Sequence, residues 1–497
     1  MQPYLLAILS GLLLSASFPN TDWNYLAWIA LVPFFLAIEK RGWKDTFCIG
    51  YLAGVAYYWS LFYWLNNVTV AGFLVLTLYL AIYLPLFGLA INLLRDRVPV
   101  PAWFLAPVLW TALEYVRTYA FSGLPWGILG VSQYGFVLLI QIASITGVYG
   151  VSFVIVFVNA VLYECILRRG MRCALPLSVM GAVLFTCLAY GSWKLAHGGD
   201  VHRRIRVAIV QGNVPQEIKF GEGFREQIIR RFYDLTLDVA REKPDLILWP
   251  ETSVPGYFWY DPDIRSMVTA LEEKIRTPLL LGSVHVHDAL NPEYFNSAFL
   301  VDAGGGVVAR YDKIHLVLFG EYVPCKRVFP FLSDLVPFEE DFTPGKEFTI
   351  FPLKKADFGV LICFEDIFPD LARNFVRNGA RFLVNITNDA WFGESSQPYQ
   401  HAAHAVFRCV ENSVGMVRAT NTGLSCFIDT YGRITDELKD EQGRDIYVEG
   451  TIVSDVPIAD VRSFYTQRGN VFAVLCCVVT LAVLGILLCT GSKKKGN

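Results

Sequence analysis

Charge is scarce in this sequence. Only 18% of its 497 residues are Asp, Glu, Lys or Arg, against 54% apolar residues, a balance closer to a membrane protein than to a soluble one. The formal net charge of −3 leaves no basic surplus, which excludes an electrostatic nucleic-acid surface, so no nucleic-acid partner is expected. A zinc pattern is missing as well. Seven of the eleven cysteines (Cys48, Cys165, Cys173, Cys187, Cys476, Cys477 and Cys489) lie in or beside apolar stretches, where packing is their ordinary role. The other four, Cys325, Cys363, Cys409 and Cys426, form no Cys-x-x-Cys pair, so no metal site and no cofactor is expected. The first apolar stretch lacks a basic flank before it, which favours an uncleaved span over a signal peptide.

What charge there is falls unevenly. Residues 1–198 and 470–490 are apolar, whereas 201–465 are rich in Asp, Glu, Lys and Arg. A chain of this length exceeds one ordinary core, and three parts are expected: a transmembrane helical bundle over 1–198, a polar domain of soluble character over 201–465 and a closing span over 470–490. A spanning helix needs about 20 apolar residues. Candidate spans are about 3–19, 24–39, 46–65, 69–94, 102–120, 134–167, 174–195 and 470–490, roughly eight in all. The stretch 134–167 is too long for one straight helix, and Gly147 and Gly150 are candidates for a turn at the interface. Lys40, Arg41 and Lys44 follow the second span, Arg95 and Arg97 the fourth, Arg168, Arg169 and Arg172 the sixth, and Lys493, Lys494 and Lys495 the last. The alternate loops, at Asn66-Asn67 and 121–133, carry no such residues. Basic loops stay in the cytoplasm, so the polar domain is expected on the opposite face, periplasmic or outer in a bacterium, and the C-terminus inside.

Within the polar part, short apolar runs alternate with amphipathic stretches. Ile205–Gln211, Leu246–Trp249, Leu279–Ser283, Ser297–Val301, Gly359–Cys363 and Phe382–Ile386 read as buried strands. Phe224–Arg241, Ile264–Lys274, Leu371–Asn378 and Ala402–Glu411 read as helices. This alternation implies a layered α/β domain. Gly304-Gly305-Gly306 reads as a hairpin turn, because no helix start follows it.

Polar residues at the exits of those strands are the candidate site. Glu251 follows LILWP directly, and strand carboxyl ends are where α/β sites gather; a surface carboxylate capping a loop is the plainer alternative. Cys363 ends GVLIC and is followed by Phe364, Glu365 and Asp366. Most free cysteines are small buried hydrophobes, yet an inert one rarely sits at a polar strand exit. Lys313 lies in YDKIHLVLFGEYVP with Glu321, a possible ion-pair partner, and His315 is an alternative base for a thiol. In the span half, Glu114 and Arg117 share a helix face, either gripping a lipid head group or pairing internally.

Three motifs occur in order: LWPET around Glu251, YDKIH through FGEYVP around Lys313, and GVLICFED around Cys363. They resemble the Glu-Lys-Cys triad of the nitrilase superfamily. The multi-span first half, the enzyme-like domain and the closing span together resemble the membrane-bound apolipoprotein N-acyltransferase family, as do NITNDAWFG (385–393), Gln400-His401, RCVE (408–411) and RATNTG (418–423). One departure is Phe364, where the family usually has tyrosine. The resemblance implies an αββα sandwich beside the membrane bundle. It implies that a phospholipid acyl donor, a diacylglyceryl apolipoprotein acceptor and membrane lipids are the partners, and that Cys363 carries the acyl chain as a thioester in a ping-pong reaction. Glu251 would be the base and Lys313 the oxyanion donor together with the Phe364 N–H. Glu321 would position Lys313, and Glu365 would support the amine side. Aromatic residues in the loops, Phe220, Trp259 and Trp391 above all, with Phe258, Tyr260 and Phe392, are candidates for a lipid entrance. A membrane-anchored nitrilase-type amidase shares the triad and is the alternative.

Overall fold

The computed structural model describes residues 1–19, 21–95, 97–98, 100–168, 173–198, 203–219, 222–287, 292–324, 326, 341–458 and 462–493. The chain forms two compact units. One comprises Met1–Gly198, Ser395–Ala403 and Arg468–Asn497, the other Gly199–Glu394 and His404–Gln467.

The first unit is helical, as long apolar runs must be if their backbone polar groups are to be satisfied internally. Among the described residues, three helical segments are long and apolar enough to cross a membrane: Val70–Leu94, Val148–Leu167 and Ala174–His197. The apolar helical segments Gln2–Ala16, Asn24–Ile38, Val137–Thr146 and Val471–Leu487 are shorter. Length and composition therefore support three of the roughly eight expected spans. The others fall short for local reasons. The segment at Asn24 starts as a 3-10 turn, while the helices Trp43–Leu61 and Ala102–Tyr119 carry Lys44 and Asp45, and Glu114 and Arg117. The long stretch 134–167 breaks at Gly147, whose φ of +68° suits glycine and ends the short helix Ala143–Thr146 before Val148–Arg168 begins. Ser395–Ala403 groups with these helices through Gln400. Its side chain accepts from the indole N–H of Trp64 (3.2 Å) and Trp126 (2.9 Å) and donates to the Pro19 carbonyl (2.9 Å).

The second unit is built on two six-stranded sheets. Its strands are β1 (Arg204–Gln211), β2 (Leu246–Leu248), β3 (Leu279–His287), β4 (Glu293–Val301), β5 (Val307–Asp312), β6 (Ile350–Phe351), β7 (Phe358–Ile362), β8 (Phe382–Thr387), β9 (Gly415–Thr420), β10 (Cys426–Ile428), β11 (Ile434–Glu437) and β12 (Gly450–Pro457). The sheet orders are β12-β1-β2-β3-β4-β5 and β11-β10-β9-β8-β7-β6. The sheets face each other, with β1 and β12 on β9 and β4 on β7. Helices Arg225–Ala240 and Pro262–Ile275 close the outer face of the first sheet over a core that includes Val210, Phe232, Trp249, Leu271, Leu281 and Phe299. Helix Pro369–Arg377 packs on β7 and β8. The result is the expected αββα order of layers. All six expected strands and all four expected helices form within a few residues of their expected bounds, and Gly304–Gly306 is the turn between β4 and β5.

Candidate active site

Strand exits position the site. Glu251 follows β2 by three residues, Lys313 follows β5 directly and Cys363 follows β7 directly. β2 runs parallel to β1 and β3, and β7 runs parallel to β8. Two of the exits are sharply bent. Cys363 has φ +53° and Thr252, next to Glu251, has φ +45°, a region that side-chain-bearing residues occupy at a cost. Gly282 on β3 makes the second bend possible. A Cβ there would lie 2.6 Å from the Pro250 carbonyl oxygen and the Thr252 nitrogen, so only glycine lets this turn pass so close to the strand.

The structure brings Glu251, Lys313 and Cys363 together. All three are buried, with Cys363 still 9% exposed. Lys313 Nζ lies 3.9 Å from Glu251 Oε1 and 2.8 Å from Glu321 Oε2. Asn296 holds both carboxylates, donating through Nδ2 to Glu251 Oε1 at 2.7 Å and to Glu321 Oε1 at 2.8 Å. The Asn388 N–H donates to Glu251 Oε2 at 2.9 Å, and the Val317 N–H to Glu321 Oε2 at 2.8 Å. Glu365 ties the lysine loop to the cysteine turn. Its Oε1 accepts from the Tyr311 hydroxyl (2.8 Å) and from the N–H groups of Ile314 (2.8 Å) and His315 (3.0 Å), and its Oε2 accepts from the Ile362 N–H (2.8 Å). Fully buried and engaged in this way, Glu365 braces the site from beneath. The cysteine turn is held from β8 by Asn385, which donates to the Cys363 carbonyl at 3.0 Å. Arg418 on β9 in turn donates to Asn385 Oδ1 (2.9 Å) and to Asp366 (2.5 Å).

Burial, then the negative charges of Glu251 and Asp389, push the Cys363 thiol well above its ordinary value, with Lys313 and a hydrogen bond to Thr387 opposing them. Burial works against the Lys313 ammonium, yet Glu321, Cys363 and Glu251 together raise its pKa above that of an ordinary lysine. Burial takes Glu365 up to about 7 despite its donors. Burial and the neighbouring Lys313 lower His315 to about 4, and its ring lies against Phe368, with centroids 3.7 Å apart and planes tilted at 41°. The site thus brings together a thiol, a carboxyl group held by two donors and a lysine, the parts that attack on a carbonyl carbon requires. Among the described residues no group of three or more His, Cys, Asp or Glu is arranged to hold a metal ion.

Phe364 stacks on Phe392, with centroids 5.6 Å apart and planes at 20°. Trp391 is 38% exposed on the same short turn as Phe392. Trp259, equally exposed, lies on the outer side of the first sheet, with its ring 6.4 Å from that of Phe299 and beneath the Arg265 guanidinium. Phe258 is core, and Tyr260 stacks on His285. Phe220 lies outside the described residues. In the helical unit, Glu114 accepts from the Leu129 N–H at 2.7 Å, and Arg117 donates to the Tyr58 hydroxyl and the Gly127 carbonyl. Both ionisable groups are therefore engaged by protein.

Sequence reasoning missed Asn296 and Lys219. Asn296 is a polar residue inside the apolar strand YFNSAFLV, a pattern that could have drawn notice. Lys219 gave no local signal.

Residues 10–161 match the family model of the apolipoprotein N-acyltransferase N-terminal domain, and residues 206–466 match that of the carbon-nitrogen hydrolases. An apolipoprotein N-acyltransferase of Geobacter metallireducens is 39% identical over 97% of this chain and 95% of its own length. This chain belongs to the apolipoprotein N-acyltransferase family. Members from Treponema denticola (29% identical, 97% of this chain and 96% of the relative) and Allorhizobium ampelinum (32%, 80% and 79%) match as well. Among solved structures, a nitrilase-superfamily amidase from Nesterenkonia aligns with 53% of this chain and 93% of its own, at a TM-score of 0.39 and 19% identity. By its family-model match the second unit is a nitrilase-like domain, and by its family the chain is an N-acyltransferase of lipoprotein biosynthesis.

Proposed function

We propose that the enzyme transfers an acyl chain from a membrane phospholipid to the α-amino group of the N-terminal diacylglyceryl-cysteine of an apolipoprotein, through a thioester on Cys363. The observation that carries this reading is the convergence of Glu251, Lys313 and Cys363, from three strand exits, in a chain of this family. Glu251 takes the thiol proton as sulfur attacks the ester carbonyl, because burial keeps the thiol protonated beforehand. Lys313, with the Phe364 N–H, stabilises the oxyanion, a contribution on the order of 100–1000-fold in rate per donor. Collapse expels the lysophospholipid, whose alkoxide receives that proton from Glu251. The acceptor amine then attacks the thioester, Glu251 removes its proton, and the thiolate leaves and is reprotonated. Glu321 and Asn296 keep Lys313 and Glu251 in place. The free lysophospholipid leaves before the acceptor reacts, which makes the kinetics ping-pong.

The setting follows from the substrates. Each exposed CH₂ of an acyl chain costs about 0.8 kcal/mol in water. We assign 1–198 to a bundle of about seven spans, 201–465 to the catalytic domain and 470–490 to a closing span, with the catalytic domain on the periplasmic or outer face and the C-terminus in the cytoplasm. Trp391 and Phe220 are proposed at the lipid entrance. Trp259, on the outer side of the first sheet, is the weaker candidate.

Incubation with phospholipid followed by intact-mass measurement should add one acyl mass to the enzyme and none to Cys363→Ser. A diacylated peptide should then remove that mass and appear triacylated. Release of free fatty acid with no acylated peptide would point instead to a hydrolase.

A further inference from the structure

Lys219 is the last residue of the short helix Gln216–Lys219, and it is 2% exposed. A buried lysine is uncommon unless it has a partner. Its Nζ donates to the main-chain oxygen of Glu251 at 3.0 Å. The contact falls at the sharp turn where Thr252 adopts φ +45°, so the bond braces the backbone that aims the Glu251 side chain. The segment leading to Lys219 is itself tied to the site. The Val214 N–H donates to Asn421 Oδ1 (2.9 Å), Asn421 Nδ2 to Asn388 Oδ1 (2.9 Å), and Asn388 Nδ2 to Gln216 Oε1 (2.9 Å). Asn388 also gives its N–H to the Glu251 carboxylate. Lys219 and Glu251 are therefore two ends of one hydrogen-bonded frame.

Charge balance gives the lysine a second task. Lys313 is shared between two carboxylates, Glu251 and Glu321, so the carboxylates beside it outnumber it at a buried site. Asp389 adds to the negative field at Cys363 and lies 3.9 Å from Arg418, whose closer partner is Asp366 at 2.5 Å. Glu365, on the far side, is bonded to neutral donors. Lys219 adds a second cation on the Glu251 side of the site. Burial lowers its pKa to about 8, opposed by Glu251 and Cys363, so it carries its proton at neutral pH.

We infer that Lys219 is a positioning residue for the base, fixing the Glu251 turn and placing a positive charge beside the group that takes the thiol proton. This rests on the assignment of Glu251 as base to Cys363. It is testable without lipid, which separates its failure from a failure of the acyl-transfer reading. In full-length enzyme in detergent, alkylation of Cys363 by iodoacetamide is followed across pH by peptide mass measurement in wild type, Lys219→Met, Lys219→Gln and Lys219→Arg, each with a thermal melt. An opposite charge close to a carboxyl lowers its pKa by roughly 1–3 units. The acid limb should therefore move up by about one pH unit or more in Lys219→Met and Lys219→Gln, with alkylation about tenfold slower at its midpoint. Lys219→Arg should return the limb toward wild type. A merely structural lysine would lower the melting temperature and leave the limb in place. An unmoved limb in the neutral variants, or an arginine variant that behaves like methionine, overturns the inference.

Discussion

Glu365 and Glu272 are both fully buried, and their surroundings differ. Four donors surround Glu365, and its pKa rises only to about 7. Among the described residues neither carboxyl oxygen of Glu272 has a hydrogen-bond partner, and burial, then Asp302, takes it to about 9. Below the ordinary carboxylate value of 4.5 the group is protonated folded and unfolded alike, and no penalty arises. As pH rises from there toward 9 the unfolded chain gives up a proton that the folded one retains, and stability falls. Glu272→Gln should therefore stabilise the protein at pH 7–8 by about 1–3 kcal/mol and by little at pH 4.5. Denaturant titrations at both values test this, and an equal difference at both would exclude the mechanism. At this scale the sequence was readable where a polar residue stood at a strand exit. Glu251, Lys313 and Cys363 all gave that signal, and Glu321 was read only as a partner for Lys313. Lys219 did not, because its partner lies 32 residues away and nothing near it in the chain marks the contact.

Among elements, β1 to β4, β7 and β8 announced themselves as apolar runs. β9 did not, since Arg418 interrupts it. The sequence alone does not reveal that Asp366, from the cysteine turn, neutralises that arginine within the fold. β12 was also unread, because its pairing with β1 joins segments more than 200 residues apart. The meeting of β3 with the Glu251 turn is a tight element contact at the site, and it rests on Gly282. A methyl group there meets backbone atoms at 2.6–2.7 Å, which cannot rotate away. Gly282→Ala should cost about 1–3 kcal/mol of stability through overpacking. Its effect on acyl transfer should be larger, on the order of 100-fold, because displacement of a base by about 1 Å has that effect. Turnover measured beside thermal melting checks the ratio. A variant that loses stability but keeps its rate would show that the turn can yield without moving Glu251.

At the scale of the whole molecule, family membership rests on both halves of the chain, since one model matches 10–161 and another 206–466. The orientation proposed from the distribution of lysine and arginine has its own test. Alkaline phosphatase fused at residue 300 should be active, because it folds only outside the cytoplasm; activity of a cytoplasmic reporter alone at that point would reverse the topology. The span count was the least readable property. Apolar runs are plain in the sequence, and the length of 134–167 already pointed to the turn at Gly147, but hydropathy does not register the 3-10 start at Asn24.

Glu251 and Cys363 stand beyond the ends of strands in different sheets, and this has a consequence for the chain while it is being made. The segment carrying Glu251 emerges from the ribosome well before the one carrying Cys363, and the first sheet takes on β12 only near the end of the domain. Until the second sheet is laid against the first, the nascent protein has the Cys363 thiol without Glu251 beside it. Under the proposed roles of these two residues, reactivity belongs to the finished domain alone.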